Sequence, residues 1–137
     1  MIRALQISSS ALVAQRIRMD VIAGNIANAN VTRQDDGTIL PYRRRRVFFA
    51  TGRPDGGGPG VHVAQIDEDP SEFRKVKDAS HPDRIREGEW KDYVQFPNVN
   101  ITMEYVDAIT AARAYEANVS MMEVTKGMIQ QAIRLFA

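Results

Sequence analysis

Two interleaved apolar stripes open the chain. Leu5, Leu12, Met19 and Ile26 recur every seven residues, with Ile22 between the last two. Ile7, Ala11, Ala14, Ile17 and Val21 follow in steps of three and four. Both spacings gather side chains on one side of a helix, and no proline interrupts them, so a helix is expected from about Ile2 to Ala27. Asn25, Asn28 and Asn30 supply its stop signal, through the left-handed conformation that asparagine tolerates.

The far end repeats the pattern more strongly. After Pro97, with Asn98 or Asn100 as candidate N-cap, the chain runs to Phe136 without another proline. Ala114, Ala117, Met121, Val124, Met128, Gln131 and Leu135 alternate steps of three and four, with one polar break. Tyr115, Val119, Met122, Ile129, Ile133 and Phe136 form a second stripe. Such a helix reaches about 55 Å at 1.5 Å per residue. Gly24 and Gly127 fall inside these helices, either as tolerated defects or as points of close approach by a neighbour.

Between the helices the pattern changes to short alternating runs. Tyr42 to Ala50, Val61 to Ile66, Phe73 to Lys77 and Trp90 to Phe96 read as strands, with Asp92 breaking the last. Asp35-Asp36-Gly37 marks a turn, and Arg53-Pro54-Asp55-Gly56-Gly57-Gly58-Pro59 marks a flexible loop over 52–60. The expected fold is α+β: long N- and C-terminal helices paired as an antiparallel coiled coil, with a small β-rich middle. The expected division is 1–30, 31–99 and 100–137. The expected seam sets Leu5, Leu12, Met19 and Ile26 against Ala117, Met121, Val124, Met128 and Leu135. So short a middle cannot cover the remaining apolar faces, which must meet something else.

Composition removes several alternatives. The 137 residues include no cysteine, which excludes disulfides, thiolate nucleophiles and Cys-ligated metals. The formal net charge is +1, so no global field draws nucleic acid or anionic lipid. No apolar run is long enough for a membrane span, and Arg16, Arg18 and Asp20 follow too soon for a secretory leader. Direct membrane insertion is therefore not expected.

Candidate chemistry is sparse. Arg43-Arg44-Arg45-Arg46 is the one charge run, and a nucleic-acid-binding module using it is the alternative reading. Strand alternation sends two of these arginines each way, which favours a solvated or salt-bridged strand. His62 and His81 have no local partner at metal-ligand spacing, and Asp67-Glu68-Asp69 has no EF-hand spacing around it. There is no Gly-x-Ser-x-Gly elbow and no Walker-type phosphate loop. No catalytic residue, cofactor or metal is expected.

Several blocks resemble a known family. Ser8-Ser9-Ser10-Ala11-Leu12-Val13-Ala14-Gln15-Arg16 and Met19-Asp20-Val21-Ile22-Ala23-Gly24-Asn25-Ile26-Ala27-Asn28-Ala29-Asn30 resemble the N-terminal signature of bacterial flagellar rod and hook proteins. Pro41-Tyr42-Arg43-Arg44, Phe96-Pro97-Asn98-Val99-Asn100 and Ala114-Tyr115-Glu116-Ala117-Asn118-Val119 narrow the likeness to the proximal rod. The resemblance implies a non-enzymatic structural subunit of the basal body. It implies helical polymerisation with itself and other rod proteins in the periplasm, transmission of motor torque, and delivery by the flagellar export apparatus without a cleaved signal peptide. On that basis Ile7, Ala14, Val21, Asn28, Asn30, Val119, Ile129, Ile133 and Phe136 are expected at subunit contacts.

Overall fold

The computed structural model describes residues 2–136. Helix α1 spans Ile2–Ala27, strands β1 to β4 span Arg45–Thr51, Val61–Glu68, Arg74–Lys77 and Tyr93–Phe96, and helix α2 spans Ile101–Phe136. The protein is α+β: two long terminal helices pack on each other, and of two small hairpins the first packs against α1. At 1.5 Å per residue the helices measure about 39 and 54 Å.

The helices are antiparallel. Asn25, near the end of α1, touches Glu104 at the start of α2, and Arg18 reaches Asp107. Leu5 and Val13 of α1 share a groove with Met122 of α2. On this register the last turns of α2 extend past Ile2, the first described residue of α1.

Each helix end has a local cause. Asn100 caps α2, because its Oδ1 accepts the Met103 amide at 3.2 Å and its carbonyl accepts the Glu104 amide at 3.0 Å. Asn28 closes α1 by a different device from the one expected. Its side-chain amide donates to the Gly24 carbonyl at 2.8 Å, and no asparagine adopts a positive φ. That carbonyl also accepts the Asn28 backbone amide at 3.1 Å, so both amides of Asn28 close the last turn without a left-handed residue.

The β segment is two separate antiparallel hairpins, β1–β2 and β3–β4. The first pairs Arg45 with Glu68 and Thr51 with Val61, with a bulge between Phe48 and Phe49. It lies along α1. Ser10 Oγ accepts the Val61 amide at 3.0 Å while donating to the Ile7 carbonyl at 2.7 Å. Gly60 passes so close that a Cβ would sit 2.8 Å from Ser10 Oγ, and its φ is +138°. β4 begins later than expected, at Tyr93, because Asp92 takes a φ of 66° and turns the chain.

The glycines inside the helices have open surroundings in the subunit. A Cβ at Gly24 or Gly127 meets nothing within 4 Å. Gly24→Ala is therefore expected to raise the stability of the free chain by about 1 kcal/mol. Gly60→Ala is expected to lower it by about 1–3 kcal/mol. Urea unfolding of the two variants should move the midpoint in opposite directions; a destabilising Gly24→Ala would contradict this packing.

Candidate functional site

The molecule is organised around a polar junction where α1, α2 and the entry to β1 meet. Asn25 and Glu104 are each only 1% exposed and are among its largest fully buried side chains. Asn25 Nδ2 donates to the Arg45 carbonyl at 2.9 Å and to Glu104 Oε2 at 3.1 Å. Asn25 Oδ1 accepts the Arg45 amide at 2.9 Å and the Tyr42 hydroxyl at 3.0 Å. The side-chain amide thus pairs with the backbone of Arg45 as a neighbouring strand would, and it closes that part of the β1 edge.

Arg44 completes the junction. Its Nε donates to Glu104 Oε1 at 2.5 Å, its Nη1 lies 3.4 Å from Asp69 Oδ2, and its Nη2 lies 3.6 Å from Asp107 Oδ2. Burial opposes the charge on Arg44, but Glu104 and then Asp69 outweigh it and hold the guanidinium above its ordinary range. Burial pushes the Tyr42 hydroxyl up. Asn98 adds a knot on the other side: its Oδ1 accepts the Arg44 amide at 2.8 Å and its Nδ2 donates to the Ser71 hydroxyl at 2.9 Å. The Ser71 amide, which donates to Asp69, is the main cause holding the Asp69 carboxyl below the usual range.

A second tie lies outside the junction. Thr32 Oγ1 donates to Asp83 Oδ2 at 2.8 Å, and Arg33 pairs with the other oxygen. Arg33 and then Thr32 hold the Asp83 carboxyl below the ordinary range.

The other notable surface is the outer face of α2. Met121, Val124 and Met128 are 57%, 59% and 55% exposed, and Leu135 and Phe136 at the tip are 86% and 92% exposed. This is a row of large apolar side chains at coiled-coil spacing that the described residues leave more than half exposed. Among the described residues no helix is long and apolar enough to cross a membrane, and no group of three or more His, Asp or Glu is placed to hold a metal ion.

Comparison with known proteins gives this surface a context. Residues 5–33 match the flagella basal body rod protein family, and residues 91–135 match the C-terminal family of the flagellar basal body rod FlgEFG proteins. The flagellar basal-body rod protein FlgC of Borreliella burgdorferi is 41% identical, with 96% of this chain and 94% of the relative aligned. That of Bacillus subtilis is also 41% identical, over 96% and 95%, and that of Yersinia enterocolitica is 39% identical, over 94% and 92%. The chain belongs to the FlgC family. It is a structural rod subunit, as its sequence blocks implied.

In this FlgC-family subunit the residues expected at the seam separate into two groups. Leu5, Leu12, Met19 and Ile26 of α1 are half-buried. Ala117, Met121, Val124, Met128 and Leu135 of α2 are exposed. The α2 positions that turn inward are Glu104, Ala108, Ala111, Tyr115, Asn118, Met122 and Thr125, again in steps of four and three. Glu104 on this inward row meets Asn25 and Arg44.

The residues expected at subunit contacts also divide. Ile7, Asn30, Ile133 and Phe136 are exposed. Val21, Asn28, Val119 and Ile129 are half-buried. Ala14 is 2% exposed and is already enclosed within the subunit, so it is not available to a neighbour.

The four arginines diverge. Arg43 donates to the carbonyls of Asp69 and Ser71 and stacks 4.3 Å over Phe73, Arg44 enters the junction, Arg45 is exposed, and Arg46 packs over Phe48. They make no shared basic face, and nothing supports the nucleic-acid reading. The sequence pattern does not mark Asn25, Arg44, Asn98 and Glu104 as one cluster. The available signal was a carboxylate on the apolar line of α2 together with a run of arginines able to pair with it.

Removing one partner of a buried polar set strands the others. Asn25→Ala is expected to destabilise the chain by about 2–4 kcal/mol. Leu40→Ala, at an exposed loop position, serves as control. Urea unfolding checks this, and a loss under about 0.5 kcal/mol would show that the junction is not a central contact.

Acid should open the Asp83 tie. A carboxyl lowered by its partners adds stability above its unfolded value of about 4 and loses it as pH falls through the lower folded value. NMR signals of Thr32 and Arg33 are expected to hold steady from neutrality to about pH 4 and to shift below it. Asp83→Asn should show the shifted signals already at pH 7.

Proposed function

We propose that this chain is a building block of the proximal rod that polymerises helically through its terminal helices. It assembles with copies of itself and with other rod proteins, and it carries motor torque along the basal-body axis in the periplasm. The export apparatus delivers it without removal of a leader. Residues 1–30 and 100–137 form the assembling layer, and 31–99 form the outer segment.

The observation that carries this reading is the bare apolar face of α2. Met121, Val124, Met128 and Leu135 repeat at the spacing by which one helix engages another, and the described residues leave more than half of each exposed. Burying such side chains contributes about 25 cal/mol per Å², so a neighbouring helix would be held by several of them together. Contacts of this kind between different faces of successive copies do not close on themselves, and they give a filament rather than a ring. Ile7, Val21, Asn28, Asn30, Val119, Ile129, Ile133 and Phe136 remain proposed contacts. The four outer-face residues join them, and Ala14 leaves the set.

Met121→Asp tests the proposal, because this position is exposed in the subunit. The variant is expected to keep the wild-type circular dichroism and unfolding midpoint, to be absent from isolated basal bodies, and to abolish swimming. A motile strain carrying it at wild-type levels in the rod would refute the assignment of this face.

A further inference from the structure

Helix α2 carries two rows of side chains at coiled-coil spacing, and the less apolar of the two faces α1. The inward row includes Glu104, Asn118 and Thr125, whereas Met121, Val124, Met128 and Leu135 point outward. Apolar transfer alone would favour the opposite choice. We infer that the junction of Asn25, Glu104 and Arg44 selects which row of α2 turns towards α1, and so keeps the more apolar row free for a helix of another subunit.

Three observations support the selection. Asn118 and Thr125 satisfy themselves within α2, donating to the carbonyls of Ala114 and Met121 at 2.7 Å each, so they are indifferent to what lies across the seam. Glu104 differs: both of its carboxylate oxygens are met from outside α2, by Asn25 and by Arg44. Asn25 in turn is fixed by its two hydrogen bonds to the Arg45 backbone, so it cannot follow a rotated α2. Presenting the outer row to α1 would withdraw Glu104 and leave the Asn25 amide and the Arg44 guanidinium without their partner. Breaking one side of a buried pair is strongly unfavourable, even where replacing the whole set by apolar groups is not. A single polar group at a seam position fixes register and pairing in the same way elsewhere, at a cost in stability.

Only the last clause of the inference, that the free row serves another subunit, rests on the assembly reading. The selection itself is a property of one chain, and it is tested there. The sequence has no cysteine, so engineered pairs report without background. Ala14→Cys with Ala111→Cys joins two enclosed positions that lie in register with the Arg18–Asp107 pair. Leu12→Cys with Ala117→Cys joins α1 to the outer row and needs a rotated α2 to reach bonding distance.

Mild oxidation of the full-length chain, free and in isolated basal bodies, is expected to favour the 14–111 bond over the 12–117 bond by at least about tenfold. In an Asn25→Leu, Glu104→Leu background, where the junction is replaced by apolar side chains, the preference is expected to reverse. Glu104→Gln, which keeps a hydrogen-bonding side chain but loses the ion pair, is expected to give both bonds. A 14–111 bond alone in both backgrounds, or neither bond in either, overturns the inference: the first shows that the seam chooses its row without the junction, the second that the junction holds the helices without choosing. A normal bond pattern together with a motile Met121→Asp strain would remove the assembly reading and leave the selection standing.

Discussion

A carboxylate enclosed by protein must have its oxygens met, and in this subunit that requirement falls on Glu104. One oxygen is met from α1 and the other from the chain entering β1. The consequence is geometric. Helix α2 is turned so that Glu104 faces inward, Asn25 of α1 lies opposite, and the first hairpin lies against α1, with Arg44 at its entry reaching α2. Apolar burial then fills around a frame that polar contacts have laid out. The filling is light: the buried apolar side chains are small or few, with Ala14, Ile22, Ala29, Val94, Val99 and Ala111 the principal ones. Directional bonds therefore carry an unusual share of the subunit's definition.

Much of the fold was legible in the sequence, because the signals were local. The absence of proline and the spacing of apolar residues define both helices, and Ile2–Ala27 and Ile101–Phe136 follow from them. The short alternating runs and the glycine-rich loop likewise locate the strands, and their pairing as two separate hairpins comes from the fold. What local reading misses is which side of α2 faces inward. Met121, Val124, Met128 and Leu135 outrank the true inner row in hydrophobicity, and Glu104 looks like an interruption until Arg44 and Asn25 are seen beside it. These three residues are separated by many positions along the chain, and only the fold brings them together. The same holds for Asn28. Its position at the helix end was readable, but its means of closing the helix was not, because a side-chain bond and a left-handed turn use the same residue type.

The two asparagines flanking the middle segment act on consecutive residues. Asn25 holds the backbone of Arg45, and Asn98 holds the backbone amide of Arg44. Asn98 also grips the turn between β2 and β3. In both cases a flexible amide supplies what a third strand would otherwise supply, so a two-stranded hairpin remains ordered at its base. A hairpin by itself is marginal in water, and here its stability is borrowed from the helices.

The places where the chain leaves α1 and rejoins α2 are pinned side by side. Everything between them is an excursion that departs and returns at one point. An architecture of this kind separates two roles that usually compete: the paired helices can keep a fixed shape while the intervening loop and hairpins lengthen, shorten or change character. Evolution can therefore remodel the outside of such a particle without disturbing its axis.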